Sequence, residues 1–262
     1  MTVRKRVHGG LVTLTVAALS LAACGGDDEP AGGGGTTTAP TTAATGGAGG
    51  GAGGDGAFKV GTLLPETGSL AFLGPPEIAA VKLAVQEINA AGGVLGKDVT
   101  VELSDSGDTE NNLAPQSVDR LLAARVDTII GAASSSVTLN VIDKITNAGV
   151  VQISPANTSD TLTTYNDKGL YFRTAPPDVQ QGSVLPGVIA DDGVTRLAIL
   201  GLQDAYGEGL SNQIEKNFKE AGGEVVEKII YDPKAANYDA EVSRVAAARP
   251  DGISVVGFDE SQ

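Results

Sequence analysis

From Phe58 onward the chain alternates short runs of Val, Ile and Leu with segments whose apolar residues recur at helical spacing, and this alternation constrains the fold more than any other feature. Residues 58–64 read as a buried strand. In the next segment Ile78, Val81, Val85 and Ile88 share one helical face, with Glu77, Lys82, Gln86 and Glu87 turned away. Pro75 and Pro76 open that helix, and Gly92-Gly93 close it. There follow a strand at Val99, Val101 and Leu103, a helix over 111–124, a short core strand over 128–130, a helix over 135–147 and a strand over 150–153. Strands separated by helices of this length predict a parallel sheet covered on both faces, and right-handed crossovers make it doubly wound.

The pattern restarts after a connector at 173–177. A helix over 179–190 leads to a strand over 196–200 and to a helix with Leu210, Ile214 and Phe218 on one face. That helix ends in Ala221-Gly222-Gly223 as the first ended in Ala91-Gly92-Gly93. A strand over 225–231, a helix over 238–248 and a strand over 253–257 complete the series. The echo predicts two similar α/β lobes, 57–174 and 175–262. The second stops on a buried strand without the helix and strand that would cover it, so it reads as truncated.

The N-terminus has a different logic. Arg4, Lys5 and Arg6 precede an apolar run over 11–23, which is the length of a signal-peptide core and too short to span a bilayer. Leu21-Ala22-Ala23-Cys24 then gives the small-residue tetrad at which a bacterial lipoprotein leader is cut and its cysteine acylated. The expectation is a leader at 1–23 and a lipid on Cys24 that tethers the mature chain to a membrane from the outside. Residues 24–56, made mostly of Gly, Ala, Thr and Pro with no large apolar side chain, read as a flexible tether with a reach of roughly 30 Å. A phosphate-binding glycine loop would have to follow a strand and open a helix, and no strand precedes these glycines.

Composition removes several classes of function. His8 is the sole histidine and Cys24 the sole cysteine, so the mature chain has neither a Ser/His or Cys/His nucleophile pair nor a His/Cys metal site. No catalytic residue, metal or cofactor is expected. The formal charge of −14, made more negative by loss of the three leader cations, repels phosphate backbones and argues against nucleic acid. With no disulfide available, the fold depends on its core, which a 41% hydrophobic fraction can supply.

Open α/β sheets bind ligands at the carboxyl ends of their strands, so the loops there are the candidate site. The first, 65–74, is turn-forming and partly apolar. The second, Gly131-Ala132-Ala133-Ser134-Ser135-Ser136, joins a strand to a helix N-terminus, where free N–H groups and hydroxyls can hold an anion. Helix capping accounts for one serine there but not for three. The third, Ser154-Pro155-Ala156-Asn157-Thr158, presents hydroxyl and amide groups beside the second, so that both can hold one carboxylate. The fourth, Asp204-Ala205-Tyr206-Gly207-Glu208-Gly209, occupies the same place in the other lobe, where Tyr206 either stacks on a ligand or packs on its own domain.

These loops, with Phe172-Arg173-Thr174 and Gln181-Gly182, resemble the leucine/isoleucine/valine-binding proteins in order and content from Phe58 to the end of the chain. The resemblance implies two Rossmann-like doubly wound lobes, the type I periplasmic binding protein fold, closing around an amino acid for an ABC permease. By the same resemblance Ser135, Ala156 and Thr158 hold the ligand carboxylate, Tyr206 and Phe258 supply aromatic contacts, and the protein acts as a monomer. Two departures matter. Ser134 stands where family members often place a disulfide cysteine, and the family's usual ammonium-binding acid lies past Gln262, leaving Asp259 as a substitute or as a merely solvated acid. A ligand sensor for a membrane receptor would carry the same motifs. A surface hydrolase would need a carboxylate base beside a serine.

Overall fold

The computed structural model describes residues 56–259. The leader, Cys24 and all but the last residue of the tether lie outside them. The described residues fall within one compact unit, 48–262. Its first lobe contains β1 (Lys59–Leu64), α1 (Gly74–Ala90), β2 (Thr100–Asp105), α2 (Ala114–Ala123), β3 (Thr128–Gly131), α3 (Ser135–Asn147), β4 (Val151–Ser154), a 3-10 turn (Asp160–Thr163) and β5 (Tyr171–Arg173). The second contains α4 (Asp178–Asp191), β6 (Arg196–Leu202), α5 (Ala205–Glu220), β7 (Glu224–Tyr231), α6 (Asp239–Ala248) and β8 (Gly252–Val256).

Every strand pairing is parallel. The strand orders are β2-β1-β3-β4-β5 in the first lobe and β7-β6-β8 in the second. In each sheet the chain leaves its first strand to one side and returns on the other, making a switch point between β1 and β3 and another between β6 and β8. Loops leaving those strands diverge there and open a crevice.

The cores follow the predicted periodicities except at β8, expected to be buried, where Ile253 and Val255 are exposed and only Val256 is buried. Leu63, Val118, Leu121, Ile129, Val141 and Ile145 bring sheet, α2 and α3 together, and Leu197, Ile199, Leu210, Ile214, Phe218 and Val256 do the same around β6 and α5. Each such apolar side chain contributes about 1.5–3 kcal/mol of burial. α1 departs from expectation. Ile78, Val81 and Val85 are half-buried and Ile88 is exposed, so its apolar stripe is only partly covered, whereas Glu77 has a carboxyl oxygen buried without a partner. α2 begins later than its periodicity suggested, because Asp108 accepts from the N–H groups of Glu110 and Asn111 and folds that stretch into a turn. β5 and the 3-10 turn were not anticipated; three residues of strand carry too little pattern to read.

Candidate interlobe ligand site

The first switch point sets the position of the serines. Gly131 ends β3 with φ +127°, and a Cβ there would sit 1.9 Å from the carbonyl oxygen of Leu63, so only glycine permits β1 and β3 to approach while the chain turns. The turn that follows has its carbonyls held from beneath. Gln152 Nε2 donates to Gly131 O at 2.9 Å, Ser154 Oγ to Ala132 O at 2.7 Å and Asn157 Nδ2 to Ala133 O at 2.7 Å. Tyr171 in turn donates its hydroxyl to Asn157 Oδ1 at 2.8 Å. Burial pushes the Tyr171 phenol well above its usual range and keeps it a donor. The amide of Asn157 and the hydroxyl of Ser154, expected at the ligand, are therefore structural: both are fully buried and point at the turn.

The three serines have separate tasks. Ser134 caps α3 by accepting from Val137 N at 3.3 Å. Ser135 accepts from Thr158 N at 3.3 Å and from Ser159 N at 3.2 Å, tying the third loop to the second. With both lone pairs so engaged, its own O–H is left to act as donor. Ser136 crosses between lobes, donating to Asp204 Oδ2 at 3.3 Å and accepting from Ala205 N at 2.9 Å. Asp204 caps α5 through its other oxygen, which accepts from Gly207 N at 2.7 Å.

A cavity of about 180 Å³ lies between the lobes. Ser135, Ala156, Thr158, Tyr206 and Phe258 all line it, with Leu70, Leu73, Ala133, Ser134 and Gln181. No lining residue is Lys or Arg, so an anion there would rest on hydroxyls, backbone N–H groups and the positive end of α3. The opposite wall is aromatic: Tyr206 stacks on Phe258 with centroids 5.3 Å apart and rings 14° from parallel. Tyr206 thus packs within its own lobe, and both residues of the pair line the cavity. Burial, together with Asp178 and Asp204, raises its phenol above the usual range. Asp259 is exposed and does not line this cavity.

Leu70 and Leu73, three apart in an otherwise turn-forming loop, were the signal for the apolar wall and were read only as part of that loop. Among the described residues no cluster of His, Cys, Asp and Glu is arranged for a metal ion, and no helix is long and apolar enough to cross a membrane.

A family profile described as "Periplasmic binding protein" matches residues 57–261. The Leu/Ile/Val-binding protein BraC3 of Rhizobium johnstonii is 29% identical over 205 residues, which cover 76% of this chain and 54% of that protein. Among solved structures, the branched-chain amino acid substrate-binding protein LivJ of Streptococcus pneumoniae, in complex with isoleucine, superposes with a TM-score of 0.66 at 28% identity, over 77% of this chain and 57% of that one. A solute-binding protein from R. palustris, in complex with 4-hydroxybenzoate, shares the fold with a TM-score of 0.70 at 19% identity, over 77% of this chain and 54% of the other. The chain spans about half the length of the curated relatives it matches. Parallel doubly wound lobes, a crevice at their switch points and this profile lead to one assignment: the chain belongs to the periplasmic binding protein family, in its type I, leucine/isoleucine/valine-binding-like form.

Proposed function

We propose that this protein captures a small amino acid of branched-chain type, or a similar carboxylate, between its lobes and delivers it to an ABC permease. The observation that carries the reading is an interlobe cavity that gathers the hydroxyl-bearing Ser134, Ser135 and Thr158 from the first lobe with apolar and aromatic groups from both lobes. Ser135 and Thr158 hold the carboxylate through their hydroxyls beside Ala156, whose N–H is shared with Ser154 Oγ at 3.2 Å, while Leu70, Leu73, Tyr206 and Phe258 surround the side chain. Isoleucine in LivJ and the Leu/Ile/Val name of BraC3 support this ligand class. We further propose that Cys24 carries the lipid, that 24–56 tethers the 57–174 and 175–262 lobes to the membrane surface, and that the protein works as a monomer.

Calorimetry of the full chain against L-leucine, L-isoleucine, L-valine and benzoate tests the ligand class. Binding of the amino acids with no heat from benzoate supports recognition of both carboxylate and side chain. Silence toward all four removes the amino-acid reading. An adjacent permease gene favours transport over the alternative of a ligand sensor.

A further inference from the structure

Asp178, the first residue of α4, is fully buried, and neither carboxyl oxygen meets a hydrogen-bond partner at good geometry. It sits against the third loop. Its backbone N–H donates to Thr158 O at 2.8 Å, and the Thr158 hydroxyl lies close enough to its carboxyl to favour the ionised form. From the same lobe α5 brings its backbone onto this group, because a Cβ at Gly209 would come 3.4 Å from Asp178 Oδ2.

We infer that Asp178 is a positioning residue whose proton decides whether the Thr158 hydroxyl is offered to Asp178 or to a carboxylate in the cleft. The inference rests on the reading of Thr158 as a ligand contact. A threonine hydroxyl has one proton to give and two lone pairs to accept with. An ionised Asp178 only accepts, so it draws the Thr158 proton away from the cleft. A neutral Asp178 donates its O–H to Thr158 Oγ1, and the Thr158 proton is released toward the ligand. Loss of the negative charge also removes repulsion of an incoming carboxylate.

The surroundings keep both states within reach. Burial raises the Asp178 pKa to about 6. The Thr158 hydroxyl opposes that rise, Asp160 from the 3-10 turn adds to it, Arg173 from β5 opposes it, and Asp204 at the start of α5 adds to it. The N-terminal position on α4 also favours the ion. Tyr206, on α5, faces Asp178 as a neutral phenol. Arg173 is itself held by Ser159 O at 2.8 Å, which keeps it from pairing freely with Asp178.

The test uses the full chain with 13C-labelled aspartate carboxyls, the Asp178 signal being assigned by its loss in Asp178→Asn. We expect a midpoint near 6 that rises in Thr158→Val, where the hydroxyl favouring the ion is gone. A midpoint in the ordinary carboxylate range, or one indifferent to Thr158→Val, overturns the inference without any ligand present. With L-leucine as probe, affinity of the unsubstituted protein should fall by up to about ten-fold per pH unit above the midpoint, as uptake of one proton requires. Asp178→Asn, whose amide donates at every pH, should bind with a flat profile between pH 5.5 and 7.5. An Asn variant that follows the original profile overturns the inference. If L-leucine does not bind at any pH, the ligand class falls, while the carboxyl titration still decides the role of Asp178.

Discussion

Ser135 shows how a single hydroxyl is turned into a donor. Two N–H groups from the third loop occupy its acceptor side, and its remaining valence is a proton beside the cavity. Removing a hydroxyl that bonds a charged group costs roughly 1.5–3 kcal/mol, or about ten-fold or more in affinity. Ser135→Ala and Thr158→Ala should each show that loss of L-leucine affinity by calorimetry, while Ser243→Ala, at an exposed position on α6, should bind as the unsubstituted protein does. Equal affinities in all three would remove both residues from the site. Tyr171→Phe tests the support beneath them: it strips the donor from buried Asn157 Oδ1, and a denaturant melt should report a loss of about 1–3 kcal/mol. The loops that carry Ser135 and Thr158 were legible as candidates because each leaves the carboxyl end of a strand with short polar residues, and the choice of those two residues within them came from the family resemblance. Asn157 and Asp178 were not legible in their roles. Nothing in a linear sequence tells whether a short polar side chain in a loop turns toward the cleft or toward the backbone behind it.

The helices and central strands were readable where period and length agreed, as in α3 and α5, whose buried faces repeat at helical spacing. Reading failed where tertiary contacts override local pattern: at β5, which exists because Gln152, Ile153 and Ser154 offer it a strand edge, and at the turn before α2. In α1 Lys82, Gln86 and Glu87 are exposed as expected, and Glu77 alone departs. Glu77 was expected in solvent, yet burial lifts its carboxyl from 4.5 to about 7. The folded state therefore binds more protons than the unfolded chain between those two values, and stability falls as pH rises from about 4.5 to about 7 before levelling. Glu77→Gln should cancel that slope and gain on the order of 1–3 kcal/mol at pH 8, the size expected of such a shift in a partly buried group. Chemical melts at pH 5 and pH 8 measure it. A variant that loses stability at both pH values would mean that the Glu77 charge is accommodated by its surroundings.

Across the whole molecule the cleft is bounded by contacts between lobes that the ligand itself need not touch. Ser136 Oγ bonds Asp204 and the N–H of Ala205, and Gln213 Nε2 on α5 donates to Asp160 Oδ2 at 2.8 Å. Asp160 in turn accepts from Val179 N at 2.9 Å, which links the 3-10 turn to α4, the helix that packs on α5. These bonds join the two walls of the cavity, so they belong to the arrangement in which the lobes are together and are lost when they part. A ligand gripped by both walls shifts the population toward that arrangement only as far as its differential affinity allows, and the interlobe bonds supply part of the bias in advance. Each is worth about 0.5–1.5 kcal/mol and the double change removes three, so Ser136→Ala with Gln213→Ala should weaken L-leucine binding by roughly 10-fold or more although neither side chain is a proposed ligand contact. Small-angle scattering of the ligand-free double variant should show a larger radius of gyration than the unsubstituted chain, and saturating L-leucine should bring the two together. If binding weakens while the radius does not change, these bonds act locally on the cavity wall and do not hold the lobes closed.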